Sequence, residues 1–143
     1  MNYRATHTGS TLVELVLTLA MMGAVAAIAI PSIVTMTDRM KVLGARQDVV
    51  LGLWAARNAA ATRGDFASFV LHPNGELAVI AGADTVFRRN LVASRGVAVM
   101  VTRDSITYAP TGMGYGAANT RIVVSRGRRA DTITTSRLGR VAF

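Results

Sequence analysis

The run from Leu12 to Ile30, LVELVLTLAMMGAVAAIAI, constrains this chain more than any other stretch. Nineteen residues make about 28 Å of helix, close to the ~30 Å hydrocarbon thickness of a bilayer. Three readings compete: a spanning helix, a cleaved secretory signal and a buried core helix. For the signal, Arg4 supplies a weak positive start, and Ala24-Val25-Ala26 or Ala27-Ile28-Ala29 a small-residue cut site. Length and the near-absence of polar residues argue against a core helix. Glu14 bears on the first two. A charge in a membrane segment costs ~2.5–3.5 kcal/mol at the bilayer centre, less toward an end, and is kept there for a function. A disposable signal has no use for it. A segment that stays in the membrane and docks beside a copy or relative of itself does. In apolar surroundings a carboxylate seeks a cation, and a newly exposed α-amino group on a neighbouring helix supplies one.

Gly9, then Ser10-Thr11-Leu12-Val13-Glu14-Leu15, the apolar run and Pro31 together resemble the leader and stem of type IV prepilins and pseudopilins. The resemblance implies that a membrane aspartyl enzyme, the prepilin peptidase, cuts after Gly9. Residues 1–9 are then the leader, and Ser10 is the new N-terminus, which the same enzyme methylates. It implies that Glu14 pairs with the N-terminal amine of an adjacent subunit during filament assembly. Pro31 matches the proline that kinks or locally melts the family's stem. On any reading a proline here removes a helix hydrogen bond. The family usually has phenylalanine or another apolar residue where this chain has Ser10.

After the stem, residues 10–31, the pattern stays helical through 32–62. Ile33, Met36, Met40, Leu43, Val50 and Trp54 recur at spacings of three and four, with Gln47 breaking the stripe. This predicts an amphipathic helix half with the stripe laid on a domain and the methionines and Trp54 in the core. Gly64 is the expected stop. From 63 to 143 the signals are those of strands. Phe66–Leu71 and Glu76–Ile80 flank Pro73-Asn74-Gly75, a hairpin signal. Further strands are expected at Val86–Ala93, Val97–Val101, Ser105–Tyr108, Arg121–Ser125, Thr132–Thr135 and Arg140–Phe143, with no helix between them. The fold class is α+β, a long N-terminal helix packed on an antiparallel β-sheet or sandwich. The Leu53–Ala59 helix end before a hairpin, the Tyr108–Gly112 segment and terminal Gly139-Arg140-Val141 resemble the GspH/FimT group of minor pseudopilins. That resemblance implies a tip or near-tip subunit of a type II secretion pseudopilus. It also implies a single-pass inner-membrane protein with its C-terminal domain in the periplasm and other pseudopilins or pilins as partners.

Chemistry has little to stand on. The chain has no cysteine and two histidines, His7 and His72, and neither has an evident catalytic partner. No metal-ligand cluster or cofactor motif is visible, so the expectation is a non-enzyme without cofactor. Gly112–Gly116 lacks the lysine and following helix of a phosphate loop and reads as a loop between strands. Arg63-Gly64-Asp65 reads as a turn. The net charge of +8 is carried almost wholly by arginine. Arg121, Arg126, Arg128, Arg129, Arg137 and Arg140 stand near the C-terminus with Asp131 as the one acid among them. Some could share a strand face as a basic stripe. Some members of the resembled group bind DNA through a C-terminal Gly-Arg-x-Arg element. Here Gly139-Arg140-Val141-Ala142 lacks the second arginine. The alternative is therefore a type IV minor pilin that takes up DNA through Arg126, Arg128, Arg129, Arg137 and Arg140. Solvated charges guarding sheet edges, or contacts to acidic neighbouring subunits, compete with it.

Overall fold

A computed structural model of the chain describes residues 11–116 and 119–142. Helix α1 (Leu12–Arg63) leads into β1 (Ala67–Leu71), β2 (Glu76–Ala81) and β3 (Asp84–Asn90). A short α2 (Leu91–Arg95), β4 (Ala98–Val101), β5 (Ser105–Tyr108) and β6 (Gly114–Tyr115) follow, then β7 (Thr120–Arg126), β8 (Arg129–Thr135) and β9 (Val141–Ala142). All pairings are antiparallel. One sheet has the order β3-β2-β1-β5-β6 and the other β4-β7-β8-β9. A long N-terminal helix with antiparallel sheets is the expected α+β class.

The chain divides into two compact units, one ending at Val34 and the other beginning at Thr35. In the first, every described residue, 11 to 34, is exposed. Leu12, Met22 and Ile28 stand 79%, 69% and 74% accessible. α1 runs through Pro31 without a break.

The second unit has its own core. There α1 turns Val42, Ala45, Val49, Leu53, Ala56 and Ala60 inward at helical spacing. These join Phe69 and Leu71 of β1, Leu77 and Val79 of β2, Ile106 and Tyr108 of β5, Ile122 and Val124 of β7 and Ile133 of β8 in one cluster. The buried line is not the expected stripe. Met36, Met40 and Trp54 are exposed (61%, 62% and 57%), as are Ile33 and Leu43, and Val50 is half-buried. Leu43, Val50 and Trp54 each follow a buried residue by one position, a rotation of about 100° about the helix axis. Small residues decide the matter. A Cβ at Gly52 would stand 2.9 Å from Phe69 Cε2 and 3.0 Å from Leu77 Cδ2, so the helix lies too close to the first sheet for a side chain there.

Two expected features of the β-region change. The strand expected over Val86–Ala93 stops at Asn90, whose side chain accepts from Ala93 N–H at 2.9 Å and so caps α2. The N-cap signal of Asn outweighs the β-propensity of the following Leu-Val. Within Gly112–Gly116, Gly114 and Tyr115 form β6 rather than loop, paired with Tyr108 and Thr107. Elsewhere the expected strands hold within a few residues. The Asn-Gly hairpin joins β1 to β2, with Asn74 Oδ1 accepting from Glu76 N–H at 3.0 Å. α1 stops at Arg63, before Gly64. β8 begins at Arg129, earlier than expected, because Gly127-Arg128 forms a two-residue turn closed by the Arg126–Arg129 pair. Gly127 has φ +56° at the first central position, where a type II′ turn takes glycine. Phe143 lies outside the described residues.

Candidate functional site

The N-terminus of α1 is built from local bonds. Thr11 Oγ1 accepts from Glu14 N–H at 3.3 Å, and Glu14 is the acid of the first turn. Thr-x-x-Glu at a helix start is the spacing of a capping box. An acid there also complements the positive end of the helix dipole. Sequence reading assigned Glu14 to a neighbour's amine and missed this local pattern, although Thr11-Leu12-Val13-Glu14 spells it out. The bond to Thr11 uses the Glu14 backbone N–H, and the carboxylate's local contribution is its charge at the positive end of the dipole. Gly9 and Ser10, the expected cleavage and methylation residues, lie outside the described residues.

The C-terminal arginines do not form one stripe. Arg121 and Arg126 lie at opposite ends of β7, about 17 Å apart along the strand. They also have opposite parity and so point to opposite faces. Arg126 sits at the β7–β8 turn, where its Nε donates to Asp38 Oδ1 of α1 at 2.7 Å and its Nη1 to the carbonyl of Gly96. Asp131 is held by Arg46 of α1 at 3.1 Å rather than by a neighbouring arginine. Arg128 and Arg129 are exposed at that turn, without an ion pair among the described residues. A shallow depression of about 250 Å³ there is lined by Arg39, Val42, Leu43, Arg129, Ala130 and Asp131. At the far end, Arg121 and Arg140 line a groove of about 490 Å³ with Thr102, Thr120, Thr134 and Ser136. Arg137 is exposed nearby in the chain, in the turn that leads to β9.

A second polar centre escaped sequence reading. Asp48, 2% exposed, accepts from Arg89 of β3 and from Arg95 Nε of α2 at 3.0 Å. One carboxylate thereby ties α1 to β3 and α2. Its only sequence signal was an acid inside the buried line between Ala45 and Val49. A smaller cleft of about 140 Å³, lined by Leu53, Trp54, Arg57, Tyr108, Gly139 and Val141, opens beside the core. Burial pushes the Tyr108 phenol above its ordinary value of 10.0, opposed by the charge of Arg57. Among the described residues no group of three or more His, Cys, Asp or Glu is placed to hold a metal. His72 is exposed at the β1–β2 hairpin.

Compared with known proteins, the chain matches no protein-family model and no curated protein. Among solved structures it is similar to the type IV minor pilin FimU of Pseudomonas aeruginosa strain PAO1. In one crystal form the TM-score is 0.62 at 13% identity, over 75% of this chain and 90% of that one. In a second crystal form the TM-score is 0.55 at 12% identity, over 68% and 87%. The chain therefore has a type IV pilin-like fold: one long N-terminal helix and a domain of antiparallel sheets.

Proposed function

We propose that the protein is a minor pseudopilin, a structural subunit at or near the tip of a type II secretion pseudopilus. The observation that carries this is the bare stem: residues 11 to 34 are all exposed, while the domain's core is complete without them. An apolar helix of that length, left exposed by the described residues, needs cover beyond them, first a bilayer and then other stems. The likeness in fold to a type IV minor pilin agrees with a filament subunit. On this reading the prepilin peptidase cuts after Gly9 and methylates Ser10. The single-pass precursor waits in the inner membrane with its domain in the periplasm. Glu14 then meets the freed amine of a neighbour, and Pro31 loosens the stem. The exposed Met36, Met40, Leu43, Leu51 and Trp54 offer apolar contact to flanking pseudopilins or pilins. The role is assembly rather than catalysis.

N-terminal sequencing of the mature protein, with and without the peptidase, tests the reading. A start at Ser10 only when the peptidase is present supports it. A start near Ala27 or Ile30 assigns an ordinary secretory signal and removes it. A second reading, a type IV minor pilin that takes up DNA, has one observation in its favour: the hydroxyl-rich groove carrying Arg121 and Arg140. Against it, Arg126, Arg128 and Arg129 sit at the other end of the β7–β8 hairpin, and Arg126 is engaged by Asp38. DNA binding across salt concentrations separates the two. Weak binding indifferent to replacement of Arg126, Arg128, Arg129, Arg137 and Arg140 excludes DNA as the ligand.

A further inference from the structure

The division of the arginines into two ends leaves the β7–β8 turn with a charge surplus that no acid among the described residues absorbs. Asp38 and Asp131, the acids at that end, are already engaged by Arg126 and Arg46. Arg39, Lys41, Arg128 and Arg129 have no ion pair among the described residues, and all but Lys41 are exposed. Arg39, Arg128 and Arg129 belong to one surface, whereas Lys41 is turned about 200° round α1 from Arg39 and lies off it. Arg39 and Arg129 line the same depression, and a Cβ on Gly127 would stand 2.5 Å from Asp38 Oδ2, which fixes the turn against α1. The support is stiff: a two-residue turn, a bidentate-capable Arg126 anchored to α1 and α2, and the Arg46–Asp131 bridge one strand position beyond Ala130.

Chain connectivity says what such a surface meets. Arg39 follows Ile30, the end of the apolar run, by nine residues. On backbone length alone it lies within about 32 Å of that point. A cationic patch tethered so close to a membrane-seated segment faces headgroups at high effective concentration. Guanidinium groups bind phosphate oxygens through paired N–H donors, and basic residues beside a span are drawn to anionic lipid.

We propose that Arg39, Arg128 and Arg129 form a docking surface for the phosphate headgroups of anionic lipid in the bilayer that holds the stem. The surface would keep the domain on the membrane before the subunit leaves for the filament. This rests on the membrane-anchored reading above, and the test separates the two.

The full-length chain is placed in nanodiscs of phosphatidylcholine alone or of phosphatidylcholine with phosphatidylglycerol, and amide hydrogen exchange is followed. Stem amides, 12 to 30, are protected in both. Amides of the β7–β8 turn exchange about fivefold more slowly, or slower still, only when phosphatidylglycerol is present, an effect the size of one basic side chain at a charged surface. The slowing is lost in R128Q/R129Q and at raised salt, while exchange of core strand β1 is unchanged. Turn exchange that ignores lipid charge while the stem stays protected overturns the docking surface and leaves the anchored reading standing. An unprotected stem overturns both. Equal slowing on adding a DNA oligonucleotide to phosphatidylcholine discs overturns the lipid assignment in favour of nucleic acid.

Discussion

At the scale of single residues, one substitution separates the local place of Glu14 in α1 from its proposed intersubunit role. Its backbone N–H bonds Thr11 Oγ1 in a Thr-x-x-Glu pattern, and its charge lies at the positive end of the α1 dipole. As a charge it is proposed to bind a neighbour's amine. Glutamine fills the box nearly as well as glutamate but carries no charge. Glu14→Gln is therefore expected to leave helix content by circular dichroism and cleavage at Gly9 unchanged. Incorporation into filaments should fall by about tenfold or more, the size of losing one charge-assisted hydrogen bond. Incorporation at the natural level would reduce Glu14 to a helix cap. Tyr108 gives a second expectation. Burial raises its phenol above 10.0, so folding favours the protonated form. The stability this contributes is complete below pH 10 and is lost as pH climbs through the raised folded value. Denaturant titrations above pH 10 should show the natural protein losing stability faster than Tyr108→Phe, by up to ~1.4 kcal/mol per pH unit.

At the scale of elements, the helix shows where sequence reading works and where it fails. The length of the apolar run, the stop at Gly64 and the Asn-Gly hairpin were legible, because each rests on local chemistry. The buried side of α1 was not. Large side chains, Met36, Met40 and Trp54, drew the stripe, whereas close approach to a sheet selects Ala45, Gly52, Ala56 and Ala60. Small residues carry little weight in a hydrophobicity pattern but decide how near two backbones come. Arg46–Asp131 and Arg126–Asp38 were equally hidden, since residues 85 and 88 apart meet only once the sheet register is set. The arginine stripe failed for the same reason. Two adjacent substitutions decide between the helix faces. Leu53 is 1% exposed, so Leu53→Ala should cost about 2–5 kcal/mol. Trp54 is 57% exposed, and Trp54→Ala should cost well under the ~3–5 kcal/mol of a core tryptophan. Urea unfolding of both variants is the measurement, and a reversed order would restore the expected stripe.

At the scale of the whole molecule, the chain joins two units with opposite solvent needs. Residues of the core cluster begin at Val42, eight positions into the unit that starts at Thr35, and none comes from the stem. The domain's cohesion is thus internal: two sheets, one helix half, and a buried Asp48 joining α1 to β3 and α2. The stem contributes nothing to that core and exposes a continuous apolar surface. Deletion of residues 1–34 should therefore give a soluble monomer. Its unfolding free energy should match that of the full chain's domain in detergent within about 0.5 kcal/mol, the range of changes that touch no buried group. The full chain without detergent should associate through the stem. Ultracentrifugation and paired denaturant curves check both halves. A deleted protein that is markedly less stable would mean that the stem braces the domain, and the separation of anchoring from folding, on which a subunit that moves from bilayer to filament depends, would not hold.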